Sequence, residues 1–327
     1  NIRALFGEKD DGEAISKSAT NYKPVYLYNK QDVEKTLGYA TIHYNFIPKE
    51  IADLILRETM NDEQDIVTPE FYLFGNKCVS SHTNKVYALE ASDGFWYNGQ
   101  RRPIRNTYTV ILAKAALMIA ELVNKERAER PQMPLQSKER WKGDIALCNR
   151  YDDKGNNLAW HSDRMTYLGP NCIIASLSLG ACREFRIRKQ YRDDEHPTTV
   201  YEVPLPHNTL IIMIGGFHEE YRHAVLSATE LVSHEISGPL RINLTYRHYL
   251  EKYRESIPMC PICGSQMDLR RAFKTPETRG RYIWTCAAGY VNKECDGFRW
   301  ANFDNDSLYC DKMEDCAMWL SRDDHAA

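Results

Sequence analysis

Arg241-Ile-Asn-Leu-Thr-Tyr-Arg247 reads as one β-strand. Successive side chains of a strand point to opposite faces, so Arg241, Asn243, Thr245 and Arg247 share one face. Ile242, Leu244 and Tyr246 share the other. Turning two arginines into an interior is costly unless an anion meets them. A dicarboxylate would do so, because the guanidinium fork binds a carboxylate through two hydrogen bonds. The alternative is a pair of arginines bridged to Asp or Glu across a barrel.

Upstream, short β-type runs recur over Ile145–Tyr151, Cys172–Leu179, Glu184–Arg188, Thr199–Val203 and Thr209–Ile214, with turn residues between them. Many short strands without intervening helices predict an antiparallel sandwich or barrel of jelly-roll type. Before this region, Pro48–Glu58 has helical apolar spacing, and Asn106 is placed to cap a long helix through about Val123. Phe71–Cys78 and Lys85–Leu89 read as short strands or a hairpin.

Asn149-Arg-Tyr151 and Trp160-His-Ser-Asp163 are the segments nearest to chemistry. On a strand or its rim, His161 and Asp163 face the same side. A His and a carboxylate converging on one point are two thirds of a facial triad. His223 is the best distal candidate, with His218 and His207 competing for the role. Two His and one carboxylate leave one side of an octahedron open, the arrangement of non-haem Fe(II) oxygenases. Asn149 and Tyr151, two apart, offer further donors to a ligand shared with Arg241.

These motifs, in this order, resemble the AlkB family of 2-oxoglutarate- and Fe(II)-dependent dioxygenases over about residues 40–250. Ser176-Leu-Ser-Leu-Gly-Ala-Cys-Arg-Glu-Phe185 and Tyr97-Asn-Gly99 are similar to the eukaryotic members that repair alkylated DNA. The resemblance implies a double-stranded β-helix, or jelly roll, with helices and an N-terminal nucleotide-recognition lid. It implies Fe(II) on His161, Asp163 and His223. It implies 2-oxoglutarate held by Arg241 at its distal carboxylate, by Arg247 at the iron end, and by Asn149, Tyr151 and Asn243. Cosubstrate and O2 would then oxidise an N-methyl group, which leaves as formaldehyde. Phe74, Gly75, Asn76 and Tyr97 match family positions that contact the base, which must be flipped from its stack. Met165 departs from the pattern, standing where the repair enzymes carry an acid two residues after the iron-binding Asp. An acid suits a cationic methylated base, so N6-methyladenine and RNA stay open as substrates beside alkylated DNA.

Six of the ten cysteines lie after residue 259. Clustered cysteines without a secretory leader read first as a metal site. Cys260-Pro-Ile-Cys263-Gly264 has the form of a zinc knuckle, and Cys286 and Cys295 close a tetrahedron with it. The order of these residues, with Gly297-Phe-Arg-Trp300, resembles a GRF-type zinc finger over about 258–304, which implies single-strand binding. Arg270, Arg271, Lys274, Arg279 and Arg281 are then the candidate phosphate contacts. Tyr282, Trp284 and Phe298 are the candidate stacking surfaces.

The expected organisation is α+β: a flexible arm (1–40), a dioxygenase domain (41–255), a small zinc-binding domain (256–309) and an acidic tail (310–327). The formal charge of −3 is no bar to nucleic acid, because five acids against two bases after residue 309 supply all of it. No apolar run is long enough to span a membrane. A monomeric, nuclear, nucleic-acid-binding enzyme is the expectation. The competing reading is a catalytically weak nucleic-acid reader on the same scaffold.

Overall fold

The computed structural model describes residues 23–73, 75–97, 99–190, 199–273 and 275–321. Phe74, Lys274, residues 1–22 of the expected arm and the residues after Ser321 lie outside the described residues.

Two sheets face each other. The larger runs in the order β2 (Ala40–Tyr44), β14 (Thr209–Met213), β11 (Ile174–Gly180), β16 (Arg241–Arg247), β9 (Ile145–Tyr151), β5 (Thr83–Ala88) and β8 (Asn106–Thr107). The smaller runs β1 (Val25–Tyr26), β13 (Tyr201–Leu205), β12 (Arg183–Lys189), β15 (Tyr221–Val225) and β10 (Leu158–His161). Pairing is antiparallel except at the edges, where β1 runs parallel to β13 and β8 to β5. This sheet-on-sheet core is of the jelly-roll type that the strand pattern predicts.

The parity of β16 decides where the interior lies. Ile242, Leu244 and Tyr246 are fully buried against the helical side, together with Ala175, Leu177 and Leu179 of β11. The helices there are α2 (Lys49–Asn61) and α3 (Val110–Ala128), which contribute Ile55, Leu56, Leu112, Ile119 and Val123. Each such side chain adds about 1.5–3 kcal/mol of burial. With that face closed by helices, Arg241, Asn243, Thr245 and Arg247 point between the sheets, towards Phe185, Ile187, Val203, Leu205 and Val225.

The cap of α3 is Thr109 and not Asn106; its hydroxyl accepts from the Leu112 amide, while Asn106 is still paired with Tyr87 in β8. The second half of the expected arm is ordered. α1 (Lys30–Leu37), capped by Asn29 and closed by Gly38 in the left-handed region, buries Val33 and Leu37.

Two hairpins lie outside the sheets: β3 (Glu70–Leu73) with β4 (Asn76–Val79), and β6 (Ser92–Tyr97) with β7 (Gln100–Ile104). The second was not legible as a hairpin. Its register slips between Ser92 and Phe95, which breaks the alternation a strand reading depends on.

The C-terminal unit is a sheet of β17 (Met267–Arg271), β18 (Tyr282–Cys286), β19 (Phe298–Ala301) and β20 (Tyr309–Cys310). It shares one apolar core with the two larger sheets, running from Met165, Leu168 and Tyr253 to Met267, Leu269, Tyr282 and Trp284. Residues 310–321 are part of it and not a tail. The Tyr282 amide donates to Ala317 O (2.9 Å), Trp319 is buried, and the Trp319 amide donates to Gly280 O (2.9 Å).

Candidate active site and metal centres

β10 and β15 pair so that His161 stands opposite His223, across a register shift at the sheet rim. Asp163 follows two residues later on the turn. His161 Nε2 is 3.5 Å and His223 Nε2 3.4 Å from Asp163 Oδ1, and the two rings are 4.2 Å apart. Ligand atoms of all three lie within 4.8 Å of one another. His161 Nδ1 is 2.8 Å from Ala159 O, which can only accept. The proton is therefore on Nδ1, and Nε2 is left to ligate. Burial lowers the His223 pKa to about 4, so this ring is neutral at pH 7 and its lone pair available. Burial alone would raise the Asp163 carboxyl; the Arg247 guanidinium and the two imidazoles outweigh it and hold the group well below the usual carboxylate range. These donors fit a divalent iron.

The two arginines of β16 separate in role. Arg247 Nη2 donates to Asp163 Oδ2, so it neutralises the oxygen turned away from the two rings. Arg241 is 1% exposed and pairs with no carboxylate among the described residues. Its Nη2 donates to Ser178 Oγ (2.8 Å), its guanidinium lies 5.1 Å from the Tyr151 ring centre, and Nε and Nη1 have no acceptor among the described residues. Asn149 Oδ1 is likewise buried without a partner. A fixed buried cation with two unused N–H groups fits an incoming carboxylate. Asn243 is different: Nδ2 donates to Ser176 Oγ (2.7 Å) and Oδ1 accepts from Thr245 (3.1 Å), so its amide is saturated within the wall.

A family model described as the 2OG-Fe(II) oxygenase superfamily matches residues 39–247. The chain belongs to that superfamily. The oxygenase is 40% identical over 105 residues to alpha-ketoglutarate-dependent dioxygenase alkB homolog 3 of Rattus norvegicus, covering 31% of this chain and 34% of that protein. It is 32% identical over 109 residues to DNA oxidative demethylase ALKBH2 of Homo sapiens, covering 32% and 40%. It thus spans well under half the length of the curated relatives it matches. The solved structure of OsALKBH1 aligns at a TM-score of 0.45 and 16% identity, over 64% of this chain and 98% of that one.

The expected base-contacting residues are scattered by the oxygenase fold. Gly75 and Asn76 lie exposed at the turn of the first hairpin. Tyr97 is half-buried, with its ring between the guanidinium of Arg102 (5.4 Å) and that of Arg164 (4.9 Å). Met165 does not line the site: it is 5% exposed and packed in the core. Its carbonyl accepts from Leu168 and Gly169, a turn that points the side chain inward. The neighbour that faces Tyr97 is Arg164. One further residue escaped the sequence reading: His82 stacks on Tyr151 (5.2 Å, 20° between planes). Of the two histidines that compete with His223, His218 lies beside the cluster, and its Nδ1 accepts from the Asp163 amide (3.3 Å). His218 therefore braces the triad without joining it.

The four expected thiols converge. Cys260 Sγ is 3.6 Å from Cys295 Sγ, and Cys263 Sγ 3.4 Å from Cys286 Sγ, with all four ligand atoms within 4.8 Å of one another. A tetrahedron with metal–sulfur bonds of about 2.3 Å has edges of about 3.8 Å, so the set fits zinc and leaves no open position. The Ile262 and Ala288 amides point at the sulfurs of Cys260 and Cys286 (3.4 Å each). Hydrogen bonding to Ser265 draws the Cys263 thiol down to about 6, towards the thiolate a metal needs.

The expected single-strand contacts fare less well. Tyr282 and Trp284 are fully buried; their polar tips reach Glu219 Oε1 (3.3 Å) and Leu308 O (2.7 Å). Arg271 is buried against Glu220 (3.4 Å) and Trp319 O (3.1 Å). Arg271 and Tyr282 join the sheet unit to the oxygenase core, and Trp284 fills the buried face of the unit, so all three are unavailable to a ligand. Arg270, Arg279 and Arg281 are half-buried and hold Tyr290, Phe273 O and Met313 O respectively. Phe298, 38% exposed, is the one expected stacking residue left open.

His207, the other competitor, lies on the helical side with Asp53 and His234. Its Nδ1 accepts the Gly180 amide (3.1 Å), so Nε2 carries the proton; that atom lies 3.3 Å from Asp53 Oδ1 without hydrogen-bond geometry. That tautomer has no lone pair for a metal at Nε2. Burial lowers His207 to about 4 from 6.5. Between those values the unfolded chain binds a proton that the folded chain does not, so stability falls as pH drops through the window. His207→Gln should make the loss of Tm between pH 7 and 5 shallower by about 2–4 °C. An unchanged slope in thermal unfolding would refute the assignment.

Proposed function

We propose that the chain is an oxidative demethylase of N-methylated bases in nucleic acid, with alkylated DNA as the substrate and the nucleus as its place of work. The observation that carries this reading is the His161–Asp163–His223 cluster opposite the unmatched, buried guanidinium of Arg241. The identity to alkB homolog 3 supports it. Iron and 2-oxoglutarate, when bound, supply the oxidising chemistry. The chain supplies the rest. Arg241 holds the distal carboxylate of the cosubstrate, with Asn149 and Tyr151 beside it. Arg247 keeps Asp163 ionised and fixed. The two hairpins form the lid, and Tyr97 with its two arginine neighbours borders the flipped base.

A second reading concerns the base. Arg102 and Arg164 flank Tyr97, and Met165 is turned away, so the described residues beside that ring are cations without the family's acid. A neutral base such as N6-methyladenine needs no acid two residues after Asp163, whereas a cationic one would lack that partner.

Four cysteines hold a structural zinc in this proposal. The GRF-like unit contacts single strands through Phe298 and not through its buried aromatics. A monomer suffices for all of these roles.

The test is product analysis by mass spectrometry. Purified protein with Fe(II), ascorbate and 2-oxoglutarate is given matched DNA and RNA oligonucleotides carrying 1-methyladenine, 3-methylcytosine or N6-methyladenine. Methyl loss from the cationic bases in DNA supports repair. Loss from N6-methyladenine alone supports the second reading. No loss from any, with both metals bound, sinks the demethylase and favours a nucleic-acid reader. Arg241→Met should raise the KM for 2-oxoglutarate by about 10- to 100-fold, the range for a hydrogen-bonded charge. An unchanged KM would remove Arg241 from the cosubstrate site.

A further inference from the structure

We propose that the zinc-binding unit is a positioning element of the oxygenase centre, acting through Asp268 and Tyr290 on Arg164, the residue that follows the iron ligand Asp163. The proposal rests on the zinc and iron assignments above and adds a coupling between them.

The loop after Asp163 is clamped from two sides. From the zinc unit, Asp268 Oδ2 pairs with Arg164 Nη1 (2.8 Å), and Asp268 Oδ1 accepts from Thr166 Oγ1 (3.2 Å). The Leu269 amide donates to Thr166 Oγ1 (3.2 Å), so the free edge of β17 lies along this loop. The Arg164 guanidinium sits 4.3 Å from the Tyr290 ring centre on one side and 4.9 Å from that of Tyr97 on the other. From the hairpin, the Trp96 amide donates to Tyr167 Oη (2.8 Å), which also accepts from Gln266 of the zinc unit (3.4 Å).

Tyr290 is tied to the zinc ligands by short covalent steps. It lies in the turn Ala288–Val291, directly after Cys286, and the Ala288 amide points at Cys286 Sγ. The tip of the second hairpin rests on the same turn. A Cβ at Gly99 would come within 2.9 Å of Ala287 O, so only glycine permits the approach. One sequence of contacts therefore runs from Cys286 through Tyr290 and Arg164 to Asp163 and Tyr97.

Arg164 is an interior cation whose charge is matched by Asp268. Removing the Asp268 carboxylate takes away both this ion pair and the acceptor of Thr166, two of the contacts that hold the loop after Asp163 against β17. Ligand-orienting partners of this kind are worth about 10- to 100-fold in metal affinity. Zinc, by fixing Cys286, holds the turn that carries Tyr290.

The experiment uses the full chain. Zinc per chain is measured by metal analysis. Fe(II) is titrated anaerobically in the presence of 2-oxoglutarate, following the charge-transfer absorption of the ternary complex. Asp268→Asn and Tyr290→Leu should keep one zinc per chain and a cooperative thermal transition, while the apparent Kd for Fe(II) rises about 10-fold. Tyr290→Phe keeps the ring over Arg164 and should restore binding to the wild-type value. Cys263→Ser should lose zinc and weaken Fe(II) binding together. Wild-type iron affinity in both Asp268→Asn and Tyr290→Leu, with zinc retained, overturns the proposal alone. A wild-type chain that holds no zinc overturns the zinc assignment and the proposal with it.

Discussion

Asp163→Ala should lower kcat/KM by at least about 100-fold, since a lost ligand must exceed the effect of a lost ligand-orienting partner. It should also unfold more easily. Asp163 Oδ2 is the acceptor of Arg247, whose side chain is only 15% exposed. Without that carboxylate the guanidinium is left interior and unmatched, at a cost of about 3–5 kcal/mol. The double variant Asp163→Ala/Arg247→Leu replaces the broken pair by apolar surface. Thermal unfolding should therefore recover much of the lost stability, while turnover and Fe(II) binding stay lost. That separation distinguishes a metal ligand from a structural ion pair. Full turnover by Asp163→Ala would remove the residue from the iron site. A single variant as stable as the wild type would show that Arg247 finds another anion.

What made the interior legible was parity. Arg241-X-Asn-X-Thr-X-Arg247 can put its charges on one face only if it is a strand, and the apolar alternates then demand a second layer. α2 and α3 are that layer. The convergence of the three side chains was legible because His161 and Asp163 are local neighbours, and the distal position left few histidines to choose among. His223 is set apart from His207 only by tertiary pairing: β15 carries the first beside β10, while the second pairs with Asp53 across the helical layer.

The C-terminal unit was misread for a related reason. Arg271, Tyr282 and Trp284 have the composition of a stacking and phosphate-binding surface, and nothing local says that they face Glu219, Glu220 and Leu308 instead. A small sheet with one apolar face must bury it somewhere, and here the oxygenase core provides the cover. The same logic turns the expected tail into structure, because Cys316 and Trp319 are buried between charged neighbours. Met165 was read by its position after Asp163, and position along a turn does not fix which way a side chain points. Met165 is packed in the core, while its neighbour Arg164 reaches Tyr97, Tyr290 and Asp268.

Gly297→Ala should abolish the zinc site with a single methyl group. A Cβ at that position would lie 2.2 Å from Cys260 Sγ, 3.5 Å from Cys295 Sγ and 3.7 Å from Ile262 Cδ1. Overpacking costs about 1–3 kcal/mol even where neighbours can yield. Here the neighbour that must yield is a ligand, held by its own knuckle, where the Gly264 amide donates to Cys260 O (3.0 Å). Gly297 cannot retreat either, because its carbonyl accepts the Cys286 amide (2.9 Å) from the ligand across the site. Moving either group pulls two thiolates out of the tetrahedron, so zinc affinity should fall by at least about 10- to 100-fold. Because a structural metal contributes folding energy outright, Tm should fall as well. Gly289→Ala is the control, since a Cβ there meets nothing within 4 Å although the residue lies only three after Cys286. Metal analysis after dialysis should find one zinc per chain in Gly289→Ala and none in Gly297→Ala. Equal zinc in both would mean that these four sulfurs are not the ligands, however closely they approach.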